Sequence, residues 1–383
     1  MAATEVKIRV PLFPDIEAVK TAQRAKREQS RVDLYPRDGS ICLFQLERQI
    51  AQILRVEPNH LLLYNTGMSA ATDALEVSRP AAGTRILQGY QQYSQTRNYI
   101  SDDLQVRGAE IHQVDVGSLQ DIDRVVAGIR PDIVFFETVT NGSEMTVLDV
   151  AGFLKLPILS EVDPLIILDN TLPSSTVLPL GEVLALVKRK VIVIESGTKY
   201  MGLNSEMCGI LYTYDEELLG KLKRRRQRTG SLLSSSAVET IREIMSKTAE
   251  EYDYRNRLVF NNTLRLARAC SEAQQDLDDF VISHPNLPTH TNFEYANQVA
   301  PDGISPVFFI LPTSGEPEGH YKIADRLWGH PVISRMCELG QSFGFDHTRI
   351  WPDDNSPVVR VSGGVYAQKD QAELERAFYE VLA

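Results

Sequence analysis

The sequence predicts an α/β protein with a mostly parallel sheet and a second, smaller α/β domain. The chain has 383 residues, which is long for one core and suits two domains around a shared cleft. Compact runs of Ile, Val, Leu and Phe recur, as in DIVFFETVT, LIILDNTL and VIVIESGT. Such unbroken apolar runs are typical of parallel strands that helices cover on both faces. From about Leu43 they alternate with stretches of helical periodicity such as LFQLERQIAQIL.

The character of the chain changes after Gly230, where a long helical stretch leads into separated strands and helices. The first 30 or so residues are polar and show no clear period. We therefore predict an N-terminal arm at residues 1–42, a large domain at 43–235 and a small domain at 236–383.

Composition excludes several classes of partner. Lys plus Arg is 40 and Asp plus Glu is 51, and the net charge of -11 argues against nucleic acid or an anionic membrane as the main partner. The N-terminus has charges and prolines where a signal peptide needs an apolar stretch, and no apolar run is long enough to cross a bilayer. Four scattered cysteines form no metal-ligand pattern, so we expect reduced thiols, no metal and a cytoplasmic protein.

One basic run, KLKRRRQR at residues 221–228, is compatible with an anion site. In an acidic protein such a run is more often the solvated face of a helix, and this is the interpretation that we favour.

A lysine follows the last of the apolar runs, in the segment SGTKY at residues 196–200. At the end of a buried strand the Lys199 ammonium is badly placed for a structural role, because it would be poorly solvated. It is well placed as a nucleophile, since partial burial lowers the pKa of the amine and lets it form an imine with a carbonyl cofactor. The hydroxyls of Ser196 and Thr198 can bond a phosphate held in the same turn.

A second buried strand, in LIILDNTLP, ends at Asp169. Pyridoxal phosphate (PLP) needs a carboxylate against its pyridine nitrogen, because this ion pair keeps the nitrogen protonated and lets the ring absorb electrons from a substrate carbanion. A strand-end Asp169 followed by Lys199 on the next strand meets this requirement. Asp169 alone fits a turn or helix-capping residue equally well.

The segment LLLYNTGMSAATDAL supplies a candidate phosphate site. Gly67 lets the backbone approach closely, and the following helix directs free N–H groups and a positive dipole at the turn. The same turn occurs in nucleotide-binding folds, so a dehydrogenase or a non-catalytic nucleotide-binding protein is an alternative. It is disfavoured because the turn lacks G-x-G-x-x-G and no acid for a cofactor ribose follows at the expected distance.

Together these segments resemble the Cys/Met-metabolism family of PLP enzymes, which includes cystathionine synthases and lyases and methionine γ-lyase. The family motif S-x-T-K-Y corresponds to SGTKY, D-N-T to residues 169–171, and the G-M phosphate turn to Gly67 and Met68. The resemblance runs from about residue 33 to the end, with the motifs in order. It implies a large domain of the aspartate-aminotransferase type (PLP fold type I), with PLP bound as a Schiff base to Lys199.

The resemblance also implies roles for residues elsewhere in the chain. In YPRDGSICLFQLE, the Tyr and Arg would reach the phosphate of the neighbouring subunit, which implies a homodimer or homotetramer with shared active sites. The tyrosine of YSQT would stack on the ring, the Asn of ETVTN would lie beside the ring hydroxyl and the substrate, and the Ser of SFGF and the Arg of RVSGG would meet the substrate carboxylate. The implied residues are Lys199, Tyr93 and Asp169 for catalysis; Tyr35, Arg37, Gly67, Met68, Tyr93, Asn141, Asp169, Thr171, Ser196, Thr198 and Lys199 for the cofactor; and Asn141, Ser342 and Arg360 for the substrate.

Several departures from the family pattern lie near the expected substrate side chain. They are Gln95, Val139, His347 and the segment 203–206, which reads Leu-Asn-Ser-Glu where the family has G-H-S-D. These departures leave the cofactor chemistry intact and keep a non-sulfur substrate open.

The resemblance implies a PLP-dependent lyase or transferase of the trans-sulfuration type that acts on a small amino acid. Our first expectation is γ-elimination or γ-replacement on a homoserine- or homocysteine-type amino acid. β-Elimination of a cystathionine-like or cysteine-derived substrate is the main alternative. A non-sulfur leaving group in a specialised pathway is a third.

Overall fold

A seven-stranded sheet forms the centre of the large domain. The computed structural model describes residues 40–245, 249–274, 279–313, 315–316, 318–353 and 356–383. The strands of the large sheet are β1 (Leu61–Tyr64), β2 (Arg85–Gly89), β3 (Glu110–Val114), β4 (Ile133–Glu137), β5 (Leu165–Asp169), β6 (Val191–Glu195) and β7 (Gly209–Tyr212). They are ordered β1-β7-β6-β5-β4-β2-β3, and of these described strands β7 alone runs antiparallel to its neighbours. The predicted mostly parallel sheet is confirmed.

The inner strands are apolar throughout because both of their faces are covered. Every residue of β4 and of β6 is buried. Alternate side chains of a strand enter opposite faces. Thus Phe135 lies in the cluster that contains Ala70 and Ile167, whereas Phe136 lies in the cluster that contains Leu43 and Val193.

Helices cover both faces of this sheet. They are α1 (Ile41–Ile53), α2 (Gly67–Glu76), α3 (Ser94–Asn98) with a π-helical extension (Tyr99–Gln105), α4 (Leu119–Ile129), α5 (Val150–Leu154), α6 (Ile158–Val162), α7 (Ser174–Val177), α8 (Leu180–Ala185), α9 (Glu216–Thr229) and α10 (Ser235–Ile244). Side-chain caps fix where some of these helices begin. Ser40 accepts from the Leu43 amide at the start of α1, and Asp215 accepts from the Leu218 amide at the start of α9. No helix among the described residues is both long and apolar enough to cross a membrane.

The second sheet has five strands and lies in the C-terminal part of the chain. Its strands are β8 (Phe280–Ser283), β9 (Val307–Pro312), β10 (Cys337–Leu339), β11 (Thr348–Asp353) and β12 (Val358–Ser362), in the order β10-β11-β12-β9-β8. The helices of this part are α11 (Ala249–Gln274), α12 (Phe293–Val299), α13 (Gly319–Gly329), α14 (Pro331–Met336) and α15 (Gln368–Leu382). The predicted smaller α/β unit is confirmed.

Helix α11 connects the two cores. Its first half contributes Tyr252 and Phe260 to the core of the large sheet, and its second half contributes Leu266 and Cys270 to the core of the small sheet. The exact domain boundaries at residues 42 and 235 stay predictions, and most of the N-terminal arm lies outside the described residues.

The basic run in α9 is only partly a solvated face. Lys221, Lys223, Arg224 and Arg228 are exposed, as expected. The expectation is wrong for Arg226, which is buried one helical turn after Leu222 and pairs with Glu47 at 2.5 Å. Glu47 lies on α1, so this ion pair joins α9 to α1. Losing either partner would leave one buried charge without compensation.

Candidate active site

Three neighbouring parallel strands end at the same edge of the large sheet, and each ends in an acid. Strand β4 ends at Glu137, β5 at Asp169 and β6 at Glu195, directly before the SGTKY segment. The register places Glu137 opposite Asp169 and Asp169 opposite Ile194. Ligands of open α/β sheets bind at this edge, beyond the carboxyl ends of the strands.

The predicted phosphate site, which we call the cradle, lies where α2 begins. A Cβ added to Gly67 would lie 3.0 Å from Cβ and 3.1 Å from Cα of Ser196, so any larger residue would have to push the two segments slightly apart. Thr66 caps the helix by accepting from the amide of Ser69 at 2.9 Å. The Ser196 amide in turn donates to the Thr171 hydroxyl at 2.9 Å, which joins the turns after β5 and β6.

Asp169 bonds the same Thr171 that bonds Ser196 of the cradle. Its Oδ1 accepts a hydrogen bond of 2.9 Å from the Thr171 amide. Burial raises the pKa of the Asp169 carboxyl, while the hydrogen bonds from Thr171 oppose the shift. A partner cation would therefore stabilise the ionised form of Asp169.

Lys199 reaches across the cleft to the small domain. Its Nζ donates to the Ser342 hydroxyl at 2.7 Å, and it forms no ion pair with a carboxylate among the described residues. Burial lowers the pKa of the Lys199 amine, and the positive charges of Arg360 and Arg349 lower it further. An amine with a lowered pKa is a better nucleophile near neutral pH.

The segment around Ser342 packs directly on the lysine turn. Gly344 has a φ of +83°, and an added Cβ would clash with the carbonyl oxygen of Lys199. The side-chain Nδ2 of Asn204 donates to the backbone carbonyl of Phe343 at 2.9 Å. These contacts fix the small-domain segment against the end of β6.

Arg360 and Asn141 meet beside the small-domain segment that carries Gln341 and Ser342. Arg360 lies on β12, is buried, and donates through Nη1 to Oδ1 of Asn141 at 3.0 Å and through Nε to the Gln341 carbonyl at 3.1 Å. Burial lowers the pKa of its guanidinium to about 10. It has no carboxylate at ion-pair distance within the described part of the chain, so a substrate carboxylate would supply the missing charge.

Glu137 is a residue of the site that the sequence reasoning missed. Its two oxygens accept from the amides of Tyr93 at 2.5 Å and Asn141 at 2.8 Å. Burial, and then the charge of Asp169, raise the pKa of the Glu137 carboxyl. A signal was present, because Glu137 ends an apolar run in the same way as Asp169 does.

The remaining cofactor residues are placed as follows. Tyr93 precedes α3 and is 42% exposed; burial and the charges of Asp169 and Glu137 raise the pKa of its phenol. Met68 follows Gly67, and its sulfur contacts the Thr96 hydroxyl at 3.6 Å.

For three predicted cofactor residues, Thr198, Tyr35 and Arg37, the described residues show no hydrogen bond to the cradle. The Thr198 hydroxyl accepts from the amide of Cys208 at 2.9 Å and donates to its carbonyl at 3.3 Å, so it bonds the start of β7. Tyr35 and Arg37 lie outside the described residues.

The donor set fits PLP. It offers an amine of lowered pKa at Lys199, a strand-end acid at Asp169 and a glycine-opened helix start at Gly67. The sequence matches the model of the Cys/Met metabolism PLP-dependent enzyme family over residues 15–327. The chain belongs to this family. PLP is its cofactor, and the predicted family, enzyme class and cofactor are confirmed.

Solved structures similar to this family member share its fold. They include cystathionine γ-synthase from Xanthomonas oryzae pv. oryzae in complex with cystathionine, with 18% identity and a TM-score of 0.73 over 91% of this chain and 87% of that one. A methionine γ-lyase from Micromonospora echinospora has 18% identity and a TM-score of 0.73, over 91% and 88%. Cystathionine γ-lyase from Lactobacillus plantarum, complexed with L-serine, has 21% identity and a TM-score of 0.73, also over 91% and 88%. A comparison with curated proteins gives no match.

Proposed function

We propose that this PLP enzyme catalyses elimination or replacement at the γ carbon of a homoserine- or homocysteine-type amino acid, with Lys199 as the residue that binds PLP. The observation that carries this proposal is the Lys199 amine, which lies in the turn after β6, has a lowered pKa and, among the described residues, bonds only Ser342. The similar solved structures named γ-synthase and γ-lyase support the choice of the γ carbon.

Lys199 is also the proposed general base. When bound, PLP supplies the electron sink that makes the α carbon acidic. The Lys199 amine would take the proton at Cα, and in γ chemistry it would also move a proton at Cβ. Its bond to Ser342 holds Nζ toward the small-domain side of the cleft at 2.7 Å.

The other cofactor-side residues hold the ring and the phosphate. Asp169 would face the pyridine nitrogen, because it is a half-buried strand-end acid without a bonded cation among the described residues. Gly67, Met68 and Ser196 would surround the phosphate at the start of α2. Tyr93 would stack on the ring, and its raised pKa keeps the phenol protonated, so that it can act as an acid.

The substrate-side residues fix the orientation of the amino acid. Arg360 would bind the α-carboxylate as a planar fork, and Asn141 holds that fork through a 3.0 Å hydrogen bond. Orientation decides which bond to the α carbon stands perpendicular to the ring, and hence which bond breaks.

Product analysis tests the proposal. Purified enzyme is incubated with a panel of γ-substituted homoserines, S-substituted homocysteines and β-substituted cysteines and serines, each with and without an added thiol. γ-Elimination releases a four-carbon 2-oxo acid and ammonia, and γ-replacement yields a new thioether. Pyruvate as the main product would contradict γ chemistry and establish the β-elimination alternative.

We further propose that the working unit is a homodimer, or a dimer of dimers, in which Tyr35 and Arg37 complete the site of the neighbour. Exposed large apolar side chains support this, among them Tyr90 in the loop before α3 and Met207 in the loop before β7.

Complementation tests the shared site. Arg37→Ala and Lys199→Ala subunits, each nearly inactive, are mixed, unfolded and refolded together. Mixed dimers regenerate one intact site, and activity should return to about a quarter of the wild-type level. Mixed dimers without activity would show that Arg37 serves its own subunit.

We also propose a cytoplasmic location. All four cysteines are free thiols, and Cys208, Cys270 and Cys337 are buried. Unpaired thiols suit a reducing compartment. Cell fractionation with an antibody to the protein checks this, and recovery in a secreted fraction would contradict it.

A further inference from the structure

Glu137 bridges two loops that approach the site from different parts of the chain. One carboxylate oxygen accepts from the Tyr93 amide in the loop after β2, and the other accepts from the Asn141 amide in the loop after β4. Only 4% of Glu137 is exposed, so water does not replace these bonds. Removing either acceptor oxygen leaves a backbone N–H of the site without its partner.

Each of the two loops carries a residue of the proposed site. Tyr93 is the proposed ring-stacking residue, and the Asn141 side chain accepts from Arg360 at 3.0 Å. Glu137 therefore lies in the middle of a continuous path from Tyr93 through Asn141 to Arg360. The path joins the cofactor side to the substrate side through one side chain.

A neighbouring strand end shows what a purely structural acid looks like in this fold. Glu195 ends β6 and is also buried, but its donors, Asn170, Ser174 and Ser175, all come from one short stretch. Its side chain shares a face with Val193 in the core that contains Leu43, whereas Glu137 shares a face with Phe135 and Asp169. Glu195 thus stabilises one turn, and Glu137 joins two loops at the site.

The charges around Glu137 agree with a role in holding geometry. Burial and the charge of Asp169 raise the pKa of Glu137, because two adjacent buried carboxylates do not both ionise without cost. Tyr93 and Arg360 are the other titratable groups nearby, and a neutral Glu137 still accepts from both amides. Glutamine matches this neutral state in charge and shape but presents an N–H to one of the two donors.

We propose that Glu137 is a positioning residue that holds Tyr93 and Asn141 in one fixed arrangement, and thereby sets the ring stack relative to the Arg360 fork. This rests on the proposed function, since Tyr93 and Asn141 matter only if the cofactor and the substrate bind between them.

The test compares Glu137→Gln with the matched control Glu195→Gln in the full-length holoenzyme. The readouts are the visible circular dichroism of bound PLP, the PLP dissociation constant, and the α-deuterium exchange of L-alanine in D2O with its kcat and KM. We expect Glu137→Gln to weaken the dichroism and to lower kcat/KM for exchange by about 100-fold, largely through KM, since small misplacements cost that much. Glu195→Gln should stay close to wild type in all three.

A second variant guards against a folding defect. Glu137→Asp keeps the acid but shortens the side chain by one methylene, so it reaches one loop at most and should show the same pattern as Glu137→Gln. If both variants match Glu195→Gln while borohydride labels Lys199 in the wild type, the positioning role is wrong and the proposed function stands. If the wild type carries no label on Lys199, both proposals are wrong.

Discussion

The proposed cofactor side and the proposed substrate side of the site are built in different ways. The strand-end part of the cofactor side is local, because Asp169, Thr171, Ser196 and Lys199 lie on two adjacent parallel strands and the turns that follow them. The substrate side joins distant segments, since Arg360 bonds a residue 219 positions away and Lys199 bonds one 143 positions away. Strand register fixes the first side, and the packing of the small domain on the large one fixes the second. Changes on the substrate side should therefore spare cofactor binding.

The largest effect is expected at Asp169, on the cofactor side. Asp169→Asn removes the charge that would keep the pyridine nitrogen protonated but preserves shape, so the fold and PLP occupancy should persist. The rate of L-alanine α-deuterium exchange should fall by about three orders of magnitude, the scale of losing a matched electrostatic partner. The L-alanine concentration for half-maximal exchange should change little. Near-normal exchange would show that Asp169 does not face the ring.

A pH-dependent effect on stability is expected at Glu195, behind the cofactor side. Burial raises the pKa of this carboxyl from 4.5 to about 7. A shift of this size changes the free energy of unfolding by about 3 kcal/mol between low and neutral pH. Because the folded pKa is the higher one, its contribution is complete below about pH 4.5 and is lost as the pH rises to about 7. Glutamine at position 195 does not ionise, so the free energy of unfolding of Glu195→Gln should rise relative to that of the wild type between about pH 4.5 and 7.

Urea unfolding at fixed PLP, from pH 4.5 to 8, measures that difference. Parallel curves for the wild type and Glu195→Gln would show that Glu195 is ionised in the folded protein throughout. The subtraction isolates Glu195 from Glu137 and Asp169, which titrate in both proteins.

On the substrate side, Arg360→Lys should weaken substrate binding while PLP still binds. Lysine keeps the charge but loses the planar fork and the bond to Asn141. We expect KM for L-alanine exchange to rise by about 10- to 100-fold, the scale of a lost hydrogen bond to a charged group, while PLP affinity stays unchanged. A matching loss of PLP affinity would break the distinction between the two sides.

The smallest effect is expected at Leu203, where the family has glycine. Leu203 has a φ of +46°, a left-handed conformation that costs an L side chain about 1–2 kcal/mol. Leu203→Gly should raise stability by less than about 1 kcal/mol, because glycine loses more chain entropy on folding. Asn204→Gly is the contrast, since Asn tolerates this region and its side chain bonds Phe343. Thermal unfolding compares the stabilities of the two variants. A lower melting temperature for Leu203→Gly than for the wild type would contradict backbone strain at Leu203.

The sequence predicted the site residues that lie close together in the chain better than those that meet through long-range contacts. Buried apolar runs that end in Asp169 and Lys199 mark neighbouring strand ends, and the motif order indicates the family. Thr198 shows a limit of such motifs, because its hydroxyl turns toward Cys208 and the motif alone does not fix a rotamer.

Residues whose roles depend on distant contacts escaped the sequence reasoning. Glu137 matters through the backbone of Tyr93, and the burial of Arg226 depends on Glu47, 179 positions away. Glu137 ends an apolar run as Asp169 does, but the run does not show that its carboxylate bonds the Tyr93 backbone. No local pattern distinguishes a buried arginine such as Arg226 from a solvated one. Tyr35 and Arg37 stay predictions, because they lie outside the described residues.

Borohydride reduction shows directly whether Lys199 carries the cofactor. The holoenzyme is reduced with borohydride, digested, and its peptides are mapped by mass spectrometry. We expect a pyridoxyl label on the peptide that contains SGTKY, at Lys199, and no label in Lys199→Ala. A label on another lysine of the wild-type protein would contradict it.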